Sequence, residues 1–364
     1  MAPCSLILVH RLMEYRQYLE ELLTYTAQSG ASDLHLSPGN YPIVRIDGRL
    51  MAVPDRKILD RVTLEGLIFA LLGEERKKRF LAEKELDFSH EHGEVRFRAN
   101  TYFSRGDIAA TLRLIPDEVK TIEDLNLPQI VKVFAKLSQG FVLAVGPNGH
   151  GKSTTLAAII DLINKERTEK IVTIEDPIEY IFTPEKSIID QREIYQDTFS
   201  FHKALKSVFR QNVNVIMVGE MRDYETMSAA VTAAETGHLV LASLHTNSAS
   251  QTIERIIDSF PSNQQVQIRT QLANTISGII SQRLIPGIKG GLVPAVEVMI
   301  ANNAIRTLIR DDRLRQIDMV IETSQEMGMI SLDRSLADLV RRKSISQEKA
   351  EFYSLNPANF KSLL

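Results

Sequence analysis

An octapeptide near the middle of the chain constrains the fold more than any other feature of the sequence. Residues 146–153 are Gly-Pro-Asn-Gly-His-Gly-Lys-Ser; they follow the apolar run Phe141–Val145 and precede a helical pattern. This is the G-x-x-x-x-G-K-[ST] pattern of a phosphate-binding loop (Walker A), with a strand before it and a helix after it. Its glycines let backbone N–H groups surround phosphate oxygens, Lys152 reaches the β- and γ-phosphates, and the Ser153 hydroxyl binds Mg²⁺. The predicted ATP-binding residues are Gly146, Pro147, Asn148, Gly149, His150, Gly151, Lys152, Ser153 and Thr154.

Short apolar segments on the C-terminal side of this loop predict a parallel sheet. Three of them, Ile171–Ile174, Val215–Val218 and Leu239–Leu244, alternate with helical patterns such as Thr154–Ile163 and Tyr224–Glu235. Strands that are apolar on both faces and alternate with helices are typical of a parallel sheet covered by helices. The C-terminal hundred residues have mostly helical patterns. We therefore predict an α/β domain with a helical C-terminal part from about residue 262.

The first hundred residues have a different pattern and predict a separate domain. A helical pattern over Tyr15–Ala27 is followed by alternating strand patterns, two helical stretches and two further strands, which together indicate a mixed α/β domain. Because Pro116 begins a polar stretch after a strand, we place the linker there. The predicted limits are 13–115 for the first domain, 116–122 for the linker and 123–364 for the second domain. Met13 is an alternative start of the chain, because the helical pattern begins near it.

Acidic residues end two of the predicted parallel strands. Glu220 follows Val215–Val218 after one glycine, and Glu175 comes directly after Ile171–Ile174. An ATP site needs carboxylates to hold the metal ion and to orient the attacking water. The carboxyl ends of parallel strands are also where open sheets bind ligands. Both acids are therefore candidates for catalysis, with a helix cap or a solvated side chain as the alternative.

Two pairs of histidines are weaker candidates for catalytic or metal-binding residues. His238 and His245 flank Leu239–Leu244, and because seven strand residues span more than about 20 Å, the two cannot share a metal ion. Taken alone, each is better interpreted as a core or strand-end histidine. His90 and His92 have same-face strand spacing, but with no third ligand nearby a zinc site is disfavoured.

Basic residues also have two interpretations. Arg96, Arg98 and Arg113 lie in predicted strands and form either a solvated strand face or arginine fingers that reach the nucleotide of a neighbouring subunit. The run Arg341–Lys343 is interpreted as a solvated helix face, with contact to anionic lipid or to a membrane protein as the lesser alternative.

Charge and cysteine content exclude several classes of protein. The chain has 43 basic and 46 acidic side chains and a formal net charge of −3, which argues against nucleic acid as the main partner. The single cysteine, Cys4, cannot form an internal disulfide or a four-cysteine zinc site, and it fits a reducing compartment. No apolar run approaches the roughly 18 residues that span a bilayer. We expect a cytoplasmic protein without a transmembrane segment.

These blocks resemble the PilT-type ATPases of type IV pili, within the larger group of secretion ATPases, over nearly the whole chain. The resemblance begins at Ala31–Leu36 and Ile46–Gly48 and extends to the C-terminal region. Its most specific parts are Thr173–Tyr180 (the family's Asp box), Gly219–Asp223 (Walker B), Ala234–His238 with Leu244–Thr246 (the His box), and Ala304–Asp311, which is similar to a motif linked to retraction.

The resemblance implies a function, an assembly and roles for residues. It implies a homo-hexameric ring with a PAS-like N-terminal domain and a RecA-like C-terminal domain, in which ATP and Mg²⁺ are used between subunits to drive pilus retraction and twitching motility. The implied partners are an inner-membrane platform protein and, as an alternative ring component, a paralogous retraction ATPase; the implied location is the inner face of the cytoplasmic membrane. Glu220 becomes the catalytic or water-positioning acid and Glu175 the second acid. His238 and His245 would link nucleotide state to domain rotation, and the family places N-terminal arginines near the nucleotide.

The chain departs from the family pattern at several positions. Asn148 and His150 replace smaller residues in the loop, and the usual Asp-Pro-Asp is here Asn212-Val213-Asn214. In the retraction motif, Thr307 replaces Asn and Asp311 replaces Glu. The changes at Asn212–Asn214 and in the retraction motif keep open a nucleotide-regulated accessory subunit as an alternative. An extension or type II secretion ATPase is a further alternative, although these commonly carry a four-cysteine motif, and a RecA-like nucleic-acid motor is disfavoured.

Overall fold

The computed structural model describes residues 3–115 and 118–364, with the side chains of residues 11–115 and 118–364. Pro116 and Asp117, with which the predicted linker begins, and the side chain of Cys4 lie outside these ranges. The chain divides into two compact units. The first comprises Met1–Glu118 and Asp176–Ile181, and the second comprises Val119–Glu175 and Phe182–Leu364.

The first unit is an antiparallel six-stranded sheet with two helices packed on one face. The strands lie in the order β3-β2-β1-β6-β5-β4. Phe97 and Ala99 of β5 face the helices, and together with Leu22, Leu34 and Leu112 they belong to one buried core, whereas alternate residues of β5 are polar. The elements are α1 (Pro3–Gln28), β1 (Asp33–Leu36), β2 (Ile43–Ile46), β3 (Arg49–Ala52), α2 (Arg61–Glu83), β4 (Glu85–His92), β5 (Val95–Ser104) and β6 (Asp107–Ile115).

Helix α2 contains the two helical stretches predicted over Leu64–Leu72 and Glu74–Glu83. Gly73 separates them, with φ 67° and ψ −177°, values outside the helical region. Strand β4 was not predicted. Its sequence is rich in charged residues and histidines, so an apolar pattern is weak there, and its pairing with β5 along the whole length defines it instead.

The second unit is built on a seven-stranded sheet in the order β13-β12-β7-β11-β10-β8-β9. All neighbouring pairs are parallel except β12 and β13. Val215–Val218 and Leu239–Leu244 have the predicted limits, and both strands are buried throughout. The strands are β7 (Gly140–Val145), β8 (Lys170–Glu175), β9 (Ile188–Glu193), β10 (Val215–Val218), β11 (Leu239–Leu244), β12 (Ile276–Pro286) and β13 (Leu292–Ile300).

Helices cover both the parallel strands and the C-terminal part of this unit. The predicted helix Tyr224–Glu235 has the predicted limits, and the side chain of Asp223 caps it by accepting a hydrogen bond from the Thr226 N–H. The C-terminal hundred residues contain the predicted helices, but also β12 and β13, which were not predicted. The helices are α3 (Lys132–Ala135), α4 (Lys152–Glu166), α5 (Phe201–Val208), α6 (Tyr224–Glu235), α7 (Ala249–Asp258), α8 (Gln265–Thr275), α9 (Asn303–Arg310), α10 (Ile317–Thr323), α11 (Leu332–Arg341), α12 (Gln347–Tyr353) and α13 (Pro357–Leu363).

None of the helices in the described ranges is both long and apolar enough to cross a bilayer.

A carboxyl group is buried in the core of the second unit. Glu297 of β13 is only 5% exposed, and it accepts a hydrogen bond from the Ala249 N–H at the start of α7, at 2.7 Å. Burial raises the pKa of Glu297 from its ordinary 4.5 to about 7, and the nearby carboxylates of Asp318 and Asp333 add to this, while the Ala249 N–H and Arg283 oppose it.

This raised pKa predicts a pH-dependent effect of Glu297→Gln on stability. The folded chain holds the Glu297 proton between pH 4.5 and about 7 whereas the unfolded chain does not, so this group's contribution to stability falls as pH rises through that window. Glutamine keeps the acceptor for Ala249 and never ionises. At about 1.4 kcal/mol per pKa unit, the variant should gain up to about 3 kcal/mol over the parent at pH 8 and little at pH 5. Melting temperatures at both pH values test this, and an equal difference at both would contradict it.

Candidate functional site

The phosphate-binding loop connects β7 to α4 and depends on two glycines that contact β12. Gly146 has φ 148°, and a Cβ there would lie 2.4 Å from the Gln282 carbonyl oxygen. Gly151 forms the N-cap of α4 with φ 80°, and a Cβ there would lie 2.7 Å from Gln282 Nε2. The loop therefore requires glycine both for its backbone angles and for its close approach to the neighbouring strand.

Gly146→Ala and Gly149→Ala are expected to differ in effect. Gly149 also has a positive φ of 74°, but a Cβ there has no neighbour within 4 Å. Gly149→Ala should cost about 1 kcal/mol from backbone strain alone. Gly146→Ala adds a clash with backbone and should cost at least about 2 kcal/mol more, with weakened nucleotide binding. Melting temperature and nucleotide titration distinguish the two; equal effects would contradict the close approach.

Three predicted site residues meet at the carboxyl edge of the sheet. Lys152 Nζ donates to the Pro147 carbonyl oxygen at 2.9 Å and lies 3.2 Å from His245 Nδ1. His245 Nε2 lies 3.2 Å from Glu220 Oε2, and Glu220 also forms an ion pair with Arg222. The strand order explains this convergence, because β11, which ends before His245, lies between β7 and β10. The phosphate loop and the Walker B acid are thus joined through one imidazole.

The hydrogen-bond partners of His245 assign its tautomer. The Lys152 ammonium can only donate, so His245 Nδ1 accepts, and the Nε2–H then donates to the Glu220 carboxylate. A neutral imidazole satisfies both contacts. The arrangement aligns a cation for phosphate, a histidine and a carboxylate that could orient water.

Glu175, the second predicted acid, lies at the end of β8 and is almost fully buried, at 5% exposure. Its Oε1 accepts from the Thr173 hydroxyl at 2.6 Å and from Gln191 Nε2 at 3.3 Å. These donors stabilise a carboxylate in a buried position. Glu175 shares the carboxyl edge of the sheet with Glu220, since β8 pairs with β10.

His238 lies at the other end of β11 from His245. Its Nδ1 is 3.0 Å from the Ala233 carbonyl oxygen, so it caps the last turn of α6, and its ring meets Phe209 edge to face at 5.7 Å. The structure therefore does not place His238 beside the phosphate loop of its own chain. Its predicted part in catalysis stays a prediction.

The three arginines lie on the polar face of the first unit's sheet and have different surroundings. Arg96 is buried and donates to Glu91 at 2.6 Å. Arg98 donates to Glu179 at 2.8 Å and to Asp87 at 3.2 Å. Arg113 is 71% exposed and donates to Asp33 at 2.9 Å.

Arg113 and Arg98 are direct cross-strand neighbours, and Asp33 lies opposite Arg113 on the next strand. Although burial raises the pKa of Asp33, hydrogen bonds from Ser32 and Arg113 outweigh it and lower that pKa overall. Asp33 is therefore a carboxylate that binds the Nε–H of the exposed Arg113 guanidinium and orients this group.

Two departures from the family pattern lie away from this site. Asn214 precedes β10 at the amino edge of the sheet, where its Oδ1 accepts from the Lys170 N–H at 2.9 Å. The phosphate loop is at the opposite edge, so the residues that replace Asp-Pro-Asp do not touch it. In α9, Thr307 accepts a hydrogen bond from Arg310 at 3.2 Å. Arg306 of the same helix donates to the Ala273 carbonyl oxygen at the end of α8, at 2.7 Å.

Sequence patterns missed the contribution of β12. Gln282 Oε1 accepts from the Thr155 hydroxyl at 2.7 Å, and the Leu284 N–H donates to His150 Nδ1 at 2.9 Å. Burial, Arg283 and Lys152 lower the pKa of His150, which favours the neutral ring that accepts this bond. The signal available was the three isoleucines among residues 276–280, which Ser277 and Gly278 interrupt, so the local pattern does not decide between a strand and a helix.

Oxygen ligands for Mg²⁺ are present where a nucleotide would bring the ion. Ser153 lies in the first turn of α4, directly after the phosphate loop. Glu220 follows β10, which lies two strands away from β7 in the sheet. In the described residues, no group of three His, Cys, Asp or Glu side chains could hold a metal ion. Mg²⁺ at nucleotide sites usually takes most of its ligands from phosphate and water, so one hydroxyl and one carboxylate fit that requirement.

Known proteins resemble the chain over most of its length. Residues 12–325 match the family described as type II/IV secretion system protein. The chain is 42% identical to "Type IV pilus retractation ATPase PilT" of Pseudomonas aeruginosa over 94% of this chain and 99% of that protein. It is 38% identical to "Type IV pilus ATPase PilU" of the same organism, covering 91% of this chain and 87% of that protein. A crystal structure of the pilus retraction motor PilT with bound ADP superposes with a TM-score of 0.87 at 43% identity, covering 94% of this chain and 98% of that one.

Proposed function

The chain belongs to the family of type II/IV secretion system proteins, and on that premise we propose that it is the ATP-hydrolysing motor of type IV pilus retraction. The observation that carries the proposal is the connection from Lys152 through His245 to Glu220 beside the phosphate loop. The similarity to a retraction ATPase over 99% of that protein's length supports the same function. The chain is thus an ATPase with a RecA-like nucleotide-binding unit.

The proposed mechanism assigns each residue a separate task. Backbone N–H groups of residues 148–151 and the Lys152 ammonium bind the phosphates of ATP. Glu220 orients the attacking water, His245 holds the Glu220 carboxylate in place, and the buried Glu175 supplies the second acid. Mg²⁺, held by Ser153 and the phosphates, would neutralise charge that develops on the phosphate oxygens.

We propose that the active form is a homo-hexamer at the inner face of the cytoplasmic membrane, acting on an inner-membrane platform protein. Residues 13–115 would form one domain, 116–122 the linker and 123–364 the ATPase domain. In such a ring the exposed Arg113 guanidinium is the best placed of the three arginines to reach a neighbour's nucleotide, because Arg96 is buried and Arg98 is already bonded to two carboxylates. His238 would transmit nucleotide state to domain rotation.

Mixed rings test whether Arg113 acts on a neighbouring subunit. Arg113→Ala and Glu220→Gln should each lower hydrolysis strongly when pure. Mixed in equal amounts, they should regain activity, because about a quarter of the interfaces would combine an intact arginine with an intact acid.

Mixing Lys152→Ala with Glu220→Gln is the control. Both residues serve the same site of one subunit, so no interface becomes competent. If the mixture of Arg113→Ala and Glu220→Gln hydrolyses ATP no faster than this control, Arg113 does not act across the interface.

A nucleotide-regulated accessory subunit is the second candidate function. The 38% identity to the pilus ATPase PilU and the altered retraction motif favour it. A deletion strain distinguishes the two: hyperpiliated cells without twitching indicate the primary motor, and piliated cells that retract weakly under load indicate the accessory subunit. Purified protein that binds ATP but hydrolyses none, alone or with the platform protein, would also favour the accessory function.

A further inference from the structure

The segment that follows β11 carries His245 and is anchored to β12 through Asn247. Ser281 Oγ donates to the Asn247 carbonyl oxygen at 2.9 Å. Arg283 Nη2 donates to Asn247 Oδ1 at 2.8 Å and to the same carbonyl oxygen at 3.2 Å. Ser281 and Arg283 are 1% and 7% exposed, so the two donors lie in the interior, whereas Asn247 itself is exposed. Both the backbone and the side chain of Asn247 are held by buried donors.

The same stretch of β12 also holds the phosphate loop. Gln282 bonds Thr155 in the first turn of α4, and Leu284 bonds His150. Arg283 lies between the two loops, because a Cβ on Gly146 would lie 3.5 Å from Arg283 Nη1. Residues 281–284 therefore fix the loop that carries Lys152 and the loop that carries His245 relative to one another.

His245 depends on this anchor more than a core residue would. Its side chain is 43% exposed, so packing alone does not hold the ring. Its contacts to Lys152 and Glu220 are both 3.2 Å, near the long end of the hydrogen-bond range. A small shift of the backbone two residues away would lengthen both contacts beyond that range. Misplacement by about 1 Å can cost about 100-fold in rate even when the chemistry is untouched.

We propose that Asn247, held by Ser281 and Arg283, is the positioning residue for His245. Through it, β12 keeps the imidazole aligned with both the phosphate loop and the Walker B acid. The inference rests on the proposed ATPase function and on the place of His245 between Lys152 and Glu220. It assigns no contact with ATP to Asn247, which acts only through His245.

A double-mutant cycle between Asn247 and His245 tests the inference. Asn247→Ala and Asn247→Asp are prepared in the parental chain and in His245→Ala, and kcat, KM for ATP and melting temperature are measured. Asn247→Ala should lower kcat about tenfold and change KM less than about twofold. Asn247→Asp, which keeps the acceptor for Arg283, should retain most of the parental kcat. In the His245→Ala chain, Asn247→Ala should lower kcat no further.

Two further variants separate positioning from loss of stability. Ser281→Ala removes a single hydroxyl and should lower kcat about threefold with KM unchanged, in case Asn247→Ala folds poorly. Asn302→Ala is the matched control, because Asn302 caps α9 by accepting from the Ile305 N–H and follows Ile300, which pairs with Gly278 at the end of β12 away from residues 281–284. It should lower the melting temperature and leave kcat at the parental value.

The outcomes distinguish this inference from the proposed function. An equal fall in kcat in both backgrounds, or parental kcat in Asn247→Ala, overturns the positioning role. Parental hydrolysis by His245→Ala overturns it as well, while the ATPase assignment stands. If the parental protein hydrolyses no ATP under any condition, the proposed function fails, and this inference fails with it.

Discussion

Lys152→Ala is expected to abolish nucleotide binding, with an affinity for ATP or ADP at least about 1,000-fold below the parent, since charge-assisted bonds to phosphate are among the strongest in proteins. Lys152 is 7% exposed and is the first residue of α4, directly after the glycines of the phosphate loop. Alanine removes the cation and leaves Pro147 and His245 without their donor. Titration with a fluorescent ADP analogue and steady-state hydrolysis measure the loss.

Lys165→Ala is the matched control for this prediction. Lys165 lies on the same helix, is 44% exposed, and pairs with Asp161 four residues earlier. Such an exposed pair contributes little to stability, and we expect parental nucleotide affinity and hydrolysis. If Lys152→Ala binds nucleotide with the same affinity as Lys165→Ala, residues 146–153 are not the nucleotide-binding loop.

The site could be predicted from the sequence where the signals are local. The loop pattern identified Lys152 and the end of an apolar strand identified Glu220, whereas the role of His245 was implied only by the family resemblance. Parallel strands bring their carboxyl ends to one edge, so short-range patterns were enough to predict that Glu220 lies near the phosphate loop. Their joining through one imidazole depends on β11 lying between β7 and β10, which no local pattern contains.

The contacts made by β12 could not be predicted, because they join residues far apart in the chain. Gln282 and Thr155 are separated by 127 positions, and their bond exists only because β12 pairs with β7. The C-terminal part was expected to be mostly helical because of the helical patterns over Asn263–Thr275 and Asn302–Ile309, and the stretch between them gives no clear strand pattern. The same limit applies to the arginines: strand periodicity put Arg96 and Arg98 on one face, but their cross-strand partners decide which side chains stay exposed.

Glu220→Gln is expected to separate binding from hydrolysis. Glutamine has the same shape and keeps an acceptor for the His245 Nε2–H, so the loop, Lys152 and nucleotide affinity should stay near parental values. It lacks the charge and basicity that orient and activate water, so kcat should fall about 1,000-fold. Glu225→Gln, an exposed acid in the first turn of α6, is the control and should hydrolyse ATP at the parental rate. Unchanged nucleotide affinity with lost turnover would assign Glu220 to the chemical step. Parental turnover would remove that role, and the His245 contact would then serve only to hold the loop.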